Sequence, residues 1–378
     1  MVYLDNNATT RPSEAVAQAV LAGVREHWEN PSSVHRAGQR VRAQVELARE
    51  ATAGLIDAKP REITFTSGGT ESIDLAVRGS LARTDRRVLA TTRVEHAAVR
   101  DLALELAADG VEVRWLPLTD TGVVDLNSVR GLVGGAGLVS VQWANNETGV
   151  VQPVREIARL AREAGARVHI DGTQWVGKMP ASVAAGWCDL LTFSPHKFHG
   201  PKGVGVLWVR RGLGLKPRLV GTQELGRRGG TENVPGILGA GVAAREAAAW
   251  VMDAGARERL ALLRDRFERS VVAACPGAVV NGAGSERLWN TSNIGFPRLE
   301  AEALLMLLSE RGVCASAGAA CSSGSLEPSP VLLAMGVPPE VAHGSVRFSL
   351  SRESTEAEVM EAAGVVAACV GVLSARTG

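Results

Sequence analysis

Short apolar segments alternate with amphipathic segments along the first half of the chain, and this alternation constrains the fold more than any other feature. The strand-like apolar segments lie at 63–65, 88–90, 111–113, 138–141, 168–170 and 190–193. Apolar residues at helical spacing mark the segments 34–58, 72–83, 96–108 and 153–164. Strands that alternate with helices form a mostly parallel sheet covered by helices on both faces. The sequence therefore predicts an α/β fold.

The pattern changes after an alanine-rich segment, 236–273, which is predicted to form one long helix. The helix-breaking sequence Cys275-Pro276-Gly277 follows it. Further along, strand-like segments at 293–296 and 346–349, a helix at 300–311 and a glycine- and serine-rich segment at 316–329 predict a smaller α+β domain. We therefore expect a large domain over 15–255 and a small domain made of 1–14 and 256–378.

Composition excludes several classes of protein. The 41 basic and 40 acidic residues give a net charge of +1, which favours neither a nucleic-acid partner nor a membrane surface. The five cysteines include no CxxC pair, so we expect neither a disulfide framework nor a metal site. The N-terminus lacks the basic and apolar regions of a signal peptide, and no run of about 18 apolar residues is apparent. These features predict a cytoplasmic protein that does not cross a membrane.

A lysine at the end of a predicted strand is the first candidate for chemistry. Lys197 follows His196 in a loop, 194–203, that comes directly after the apolar segment 190–193. A lysine surrounded by apolar residues at such a position can act as a nucleophile toward a carbonyl group. The alternative is an ordinary solvated surface lysine.

Two further features supply what a pyridoxal-phosphate (PLP) site requires beside that lysine. Asp171 ends a predicted strand, where a buried carboxylate can keep a pyridine nitrogen protonated, although it could also cap a helix. The segment 66–72, rich in small residues, lies between a strand and a helix, where free N–H groups can bind a phosphate. Together with Lys197, these features predict a PLP site at the strand ends of the α/β sheet.

Ordered motifs along almost the whole chain closely resemble those of the cysteine desulfurases of the class V aminotransferase group, of the NifS and IscS kind. They lie at 3–10, 30–35, 67–72, 95–96, 144–149, 171–174, 194–197, 228–233, 320–329 and 345–349. The resemblance implies a PLP-dependent aminotransferase-type large domain with a mostly parallel sheet, plus a smaller α+β domain.

The resemblance also implies roles for residues around the cofactor. Lys197 would bind PLP covalently, and His96 would stack on its ring and transfer protons. Asp171 would bind the ring nitrogen, and Gln174 the ring hydroxyl. The residues implied for the phosphate are Gly69, Thr70, Ser194 and His196, joined by Thr231 from a partner subunit. A homodimer with shared active sites is therefore expected.

For the substrate, the resemblance implies that Asn146 and Arg347 bind the carboxylate of L-cysteine, with Asn146 also beside the cofactor. Arg347 lies in an otherwise apolar strand, where its charge needs a partner that a substrate carboxylate would supply. Cys321 would accept the sulfur as a persulfide, leaving alanine, and pass it to an acceptor protein such as an iron–sulfur scaffold. Glycines and serines around Cys321 predict a flexible loop, whereas Cys314 is expected to be buried in a strand.

Three alternatives stay open on the sequence alone. Selenocysteine lyases and other class V aminotransferases share most of these motifs, although a plain aminotransferase has no need of a cysteine such as Cys321. A non-catalytic sulfur-relay scaffold is the alternative outside the enzymes. The presence of Lys197, Asp171 and His96 together argues for an enzyme.

Overall fold

The computed structural model describes residues 1–317 and 327–377, so Cys321 and most of the predicted flexible loop lie outside the described residues. The strands are β1 Val2–Tyr3, β2 Ile63–Thr66, β3 Val88–Thr91, β4 Glu112–Trp115, β5 Leu138–Gln142, β6 Arg167–Asp171, β7 Leu190–Phe193, β8 Gly205–Val209, β9 Val279–Val280, β10 Thr291–Gly295, β11 Val313–Cys314 and β12 Ser345–Ser349. The helices are α1 Glu14–Arg25, α2 Arg36–Gly54, α3 Gly69–Leu81, α4 Ala97–Ala108, α5 Leu126–Val133, α6 Val154–Glu163, α7 Val234–Trp250, α8 Ala254–Ala274, α9 Ala301–Glu310, α10 Pro330–Ala334, α11 Pro339–His343 and α12 Glu356–Thr377.

Seven strands form one large sheet in the order β2-β8-β7-β6-β5-β3-β4. The neighbours from β7 to β4 are all parallel, and only β8 runs against its neighbours β7 and β2. Every residue of the central strands β5 and β7 is buried, as expected where helices cover both faces of a parallel sheet. The predicted mostly parallel α/β sheet is confirmed.

The direction of these strands decides where a site can form. Strands β3, β5, β6 and β7 are parallel, so their carboxyl ends meet at one edge of the sheet. Residues that follow Thr91, Gln142, Asp171 and Phe193 therefore come together at this edge. Ligands of open α/β sheets bind in the crevice outside such strand ends.

One sequence-based prediction is wrong: the segment 236–273 is two helices, α7 and α8, and not one. Helix α7 ends at Trp250, and α8 begins at Ala254 after Asp253, whose Oδ1 accepts the N–H of Ala256 (2.8 Å). Alanine favours helix on both sides of this break, so periodicity alone hides it. The aspartate cap was the available signal. Strand β8 was also not predicted.

A second, three-stranded sheet carries the C-terminal part of the site, with β10 pairing antiparallel to both β12 and β9. The N-terminal strand β1 pairs in parallel with β11, and Asp5 bridges to Ser349 at the end of β12. The first residues of the chain are thereby brought beside Arg347. The predicted domain boundaries stay a prediction.

Helix α12 contains a stretch, Glu356–Ala375, that is long and apolar enough to cross a membrane by length and composition. Its residues Val359, Ala362, Val366 and Cys369 are buried in the apolar core that also contains Phe348 of β12. Core helices of globular domains often meet this criterion. The expectation that the chain does not cross a membrane stays a prediction.

Candidate active site

A cavity of about 370 Å³ lies at the carboxyl edge of the large sheet, where the second sheet faces it. Most of the predicted site residues line it: Gly69, Thr70, His96, Asn146, Asp171, Gln174, Ser194, His196, Lys197 and Arg347. Thr231 does not; it lines a separate cavity together with Ser67 and Arg228. Cys321 lies outside the described residues.

Lys197 lies in a 3₁₀ turn, Pro195–Lys197, that follows β7 directly. Its Nζ donates to the backbone carbonyls of Asn7 (2.7 Å) and Ala8 (2.8 Å). The N–H of Thr10 donates to the carbonyl of His196 (2.9 Å), which ties the N-terminal segment to the lysine turn. The amine is thus held at the cavity wall by a segment distant in sequence.

Asp171 ends β6 and is only 5% exposed. Its Oδ1 accepts the N–H of Thr173 (3.0 Å), so a turn follows the strand and the helix-cap alternative is wrong. The Oγ1 of Thr173 is buried and has no hydrogen-bond partner among the described residues. A buried carboxylate and an unsatisfied hydroxyl oxygen therefore lie together at the cavity.

His96 caps helix α4, because its Nδ1 accepts the N–H of Ala98 (3.1 Å). The neutral ring consequently carries its proton on Nε2. Burial lowers the pKa of His96, and Lys197 acts in the same direction while Asp171 opposes it. The ring is therefore held in one orientation as a neutral donor at the cavity.

The start of helix α3 forms a cradle suited to a phosphate. The preceding residue is Gly68, which offers no side-chain cap to the first N–H groups of the helix. A Cβ on Gly69 would lie 2.7 Å from Oγ of Ser194, so a larger residue would displace that hydroxyl. Burial, with Lys197 nearby, lowers the pKa of His196 to about 3, so this ring is neutral.

Arg347 enters the cavity from β12 and is 2% exposed. Its Nη2 donates to Oδ1 of Asp5 (2.7 Å) and its Nη1 to the carbonyl of Asn146 (3.1 Å). Arg347 was expected to need a partner that a substrate carboxylate would supply, and in the structure Asp5 already pairs with it. Its Nε and the Oδ1 of Asn146 are nevertheless buried without partners among the described residues.

Both described ends of the segment that contains Cys321 are attached beside this cavity. Ser316 exchanges two backbone hydrogen bonds with Arg347, of 3.2 and 2.7 Å. The hydroxyl of Ser329 donates to Oε2 of Glu147 (2.6 Å), a cavity residue next to Asn146. Cys314 lies in a strand as predicted, but it is half-buried and not buried.

Sequence reasoning assigned no role to several polar residues in and around the cavity. Asn7 connects its two ends: its Nδ2 donates to the carbonyl of Asn146 (3.0 Å), while its own carbonyl accepts from Lys197. The polar run 5–7, one residue after β1, was the available signal. Further residues without an assigned role are Asp5, Glu95, Arg100, Asp101, Gln142, Glu147, Thr173 and Lys178.

The residues present fit PLP. The cavity offers a lysine amine, a buried carboxylate for a ring nitrogen, a glycine cradle at a helix N-terminus for a phosphate, and unsatisfied buried polar atoms. Arg347 at the far side adds a guanidinium suited to a carboxylate.

The chain also resembles known proteins in sequence and in structure. The family model described as aminotransferase class-V matches residues 2–361. A cysteine desulfurase of Trichormus azollae is 46% identical over 362 residues, covering 95% of this chain and 90% of that protein. A solved NifS-like protein is 35% identical with a TM-score of 0.91, covering 98% of this chain and 100% of the other. SspA in complex with cysteine is 30% identical with a TM-score of 0.80, covering 94% and 100% of the two chains.

Proposed function

Because the chain belongs to the class-V aminotransferase family, we propose that it is a PLP-dependent cysteine desulfurase, which converts L-cysteine to L-alanine and leaves the sulfur as a persulfide on Cys321. The observation that carries this proposal is that Lys197, Asp171 and Arg347 line one cavity. They supply an amine, a buried carboxylate and a carboxylate-binding cation. The cysteine desulfurases among its relatives and the cysteine bound to the structural neighbour SspA support the choice of substrate.

The residues of the large sheet would hold the cofactor. Lys197 would bind it covalently, Asp171 would pair with its ring nitrogen, and Gln174 would meet its ring hydroxyl. Its phosphate would bind at Gly69, Thr70, Ser194 and His196. When bound, PLP withdraws electrons from the substrate Cα through its protonated ring.

The remaining cavity residues would bind the substrate and move its protons. Nε of Arg347 and Oδ1 of Asn146 have no partner within residues 1–317 and 327–377. Nε can therefore donate to the substrate carboxylate, and Oδ1 can accept from the amino group, without breaking existing bonds. Nζ of Lys197 would accept the Cα proton. Nε2–H of His96 would supply a proton to Cβ as the Cβ–S bond breaks.

In the sulfur-transfer step, the Cys321 thiolate attacks the sulfur of the substrate. The Cβ–S bond of cysteine breaks, an S–S bond forms, and Cβ gains a proton to become the methyl group of alanine. The sulfur transferred is thereby oxidised to the sulfane level and the substrate carbon is reduced, so no further redox partner is needed. The attachments at Ser316 and Ser329 support this role, since both join the cysteine segment to cavity residues.

Mass spectrometry after addition of L-cysteine tests this proposal. We expect one extra sulfur on the peptide that contains Cys321, and one alanine for each sulfur released. Cys321→Ser should keep PLP and lose sulfide release, whereas the control Cys314→Ser should keep most activity. Sulfur on Cys314, or normal turnover by Cys321→Ser, would contradict the acceptor assignment and favour a plain aminotransferase.

We also propose a homodimer in which Thr231 serves the partner's site. Thr231 lies away from the cavity of its own chain, on the wall of a separate 220 Å³ cavity. Mixing inactive Lys197→Ala and Thr231→Ala proteins should restore part of the activity, because a hybrid dimer has one intact site. No recovery after confirmed subunit exchange would count against a shared site.

The persulfide must then be passed on, and we propose an acceptor protein such as an iron–sulfur scaffold in the cytoplasm. The four cysteines that the structure describes are all free thiols. A reducing compartment preserves such thiols and favours transfer of sulfane sulfur.

A further inference from the structure

A buried lysine next to the cavity has no part in the proposed function. Lys178 is 4% exposed, and its Nζ donates to Oδ1 of Asn7 (2.9 Å) and Oε1 of Gln174 (2.6 Å). No carboxylate among the described residues forms an ion pair with it. Its electrostatic neighbours Lys197 and Arg347 are cations, and together with burial they lower the pKa of Lys178 well below its usual value. An ion pair therefore does not explain its position.

The backbone places this lysine firmly. Gly177 has a φ of +78°, and a Cβ there would lie 2.4 Å from the ring of Phe198, so only glycine fits. The indole N–H of Trp289 donates to the carbonyl of Lys178 (3.1 Å). The turn that delivers Lys178 is thus fixed from both the large sheet and the C-terminal part of the chain.

The contact with Gln174 determines which way its amide faces. Nζ of Lys178 donates to Oε1 of Gln174 (2.6 Å) and also to Oδ1 of Asn7. The amide oxygen of Gln174 therefore faces Lys178. Nε2 of Gln174 then uses one N–H for the carbonyl of Asn7 (3.1 Å). Its second N–H has no partner in the part of the chain that the structure describes and, because Gln174 lines the cavity, it can donate there.

We propose that Lys178 is a positioning residue that fixes Gln174 as a hydrogen-bond donor toward the cavity, so that the ring oxygen bound there is held in its deprotonated form. The inference rests on the proposed function, because it concerns the ring of PLP. A donor at that oxygen stabilises its negative charge and lowers the affinity of the bound cofactor for a proton.

The pH dependence of the visible absorbance of the holoenzyme tests this role. Lys178→Met keeps the length of the side chain and removes its donors, so Gln174 can turn. We expect the apparent pKa of the visible band to rise by about one unit, the effect of weakening one hydrogen bond to a charged group. The titratable and charged groups at the cavity stay unchanged: Glu95, His96, Arg100, Asp101, Glu147, Asp171, His196, Lys197 and Arg347. The exposed Lys216→Met should leave the band unchanged.

Thermal unfolding of the same proteins without cofactor separates positioning from a structural role. Burying an amine without a carboxylate partner is costly, and Oδ1 of Asn7 keeps its bond from Nδ2 of Asn290 (2.9 Å) when the lysine is replaced. We therefore expect Lys178→Met to be as stable as the wild type although its band has shifted. If Lys178→Met does not fold, Lys178→Gln is titrated instead and should shift in the same direction by less.

A double-mutant comparison decides whether Lys178 acts through Gln174. Adding Lys178→Met to Gln174→Ala should cause no further shift. An equal shift in both backgrounds means that Lys178 acts by its charge alone and overturns the inference, as does an unshifted band in the single variant. A wild type that binds no PLP contradicts the proposed function as well, whereas a normal wild type with an unshifted variant contradicts only this inference.

Discussion

The two ends of the cavity are built in different ways. At the cofactor end, Asp171 ends β6, and Lys197 follows the end of the neighbouring parallel strand β7. At the substrate end, Arg347 comes from the middle of an antiparallel strand, and its partners Asp5 and Asn146 lie 342 and 201 residues away in sequence. Parallel strand order is sufficient to bring the first pair together, whereas the second cluster requires the two ends of the chain to meet.

Because of this difference, mutations at the two ends should have different effects. The cofactor end holds groups that act on a bound ring. Removing one of them should therefore abolish the visible absorbance of the cofactor together with turnover. The substrate end holds a guanidinium that is already paired with Asp5, so a change there should weaken substrate binding and leave the cofactor in place.

The largest effect is expected for Lys197→Ala. It removes the only cavity lysine among the described residues. Turnover of cysteine and the visible absorbance of the covalently bound cofactor should both disappear. The exposed Lys202→Ala, five residues further along the same loop, should keep both. A Lys197→Ala protein with the wild-type band would contradict the covalent role.

An intermediate effect is expected for Arg347→Lys at the substrate end. Lysine keeps the charge but loses the planar fork that binds a carboxylate through two N–H groups. We expect KM for cysteine to rise by about 10- to 100-fold, which corresponds to roughly 1.4–3 kcal/mol.

The cofactor spectrum of Arg347→Lys should stay as in the wild type. Arg352→Lys is the matched control, because Arg352 pairs with Glu246 (2.7 Å) away from the cavity. A changed spectrum with an unchanged KM would show that the two ends are not separable.

The same contrast explains what the sequence could predict. Asp171, Lys197 and the phosphate cradle were identified from strand ends and small residues, which are local patterns. Family resemblance added His96, Gln174, Asn146 and Arg347. Neither route assigned roles to Asp5 or Lys178, because their importance arises from contacts between distant segments. The break between α7 and α8 was missed because alanine favours helix on both sides of it.

The smallest expected effect is on the pH dependence of folding stability. It concerns two buried carboxylic acids, Glu95 at the cofactor end and Glu147 at the substrate end. Burial raises the pKa of Glu95 to about 8, and Asp171 adds to this while Thr92 opposes it. Burial also raises the pKa of Glu147, but its bond from Ser329 and the charge of Arg347 oppose that rise. Folding should therefore depend on pH more strongly through Glu95.

The direction of this pH dependence follows from which state, folded or unfolded, keeps the proton on Glu95. Below the ordinary glutamate pKa, both the folded and the unfolded states are protonated, so Glu95 contributes no pH dependence. As the pH rises toward about 8, the unfolded state releases its proton while the folded state retains it, so stability falls by at most about 1.4 kcal/mol per pH unit. Above about 8 both states are ionised and the loss is complete.

Glutamine at position 95 does not titrate, so Glu95→Gln should gain stability over the wild type as the pH rises from 5 to 8, and Glu147→Gln should gain less. Urea unfolding of the cofactor-free proteins at several pH values measures both differences. The comparison is best made without PLP, because cofactor binding has its own pH dependence and would add to the apparent stability. A pH-independent difference for Glu95→Gln would mean that this carboxyl ionises in the folded protein as it does in water. A larger gain for Glu147→Gln would mean that Glu147, at the substrate end, causes more of the loss of stability at high pH than Glu95 does. That result would reverse the contrast between the two ends.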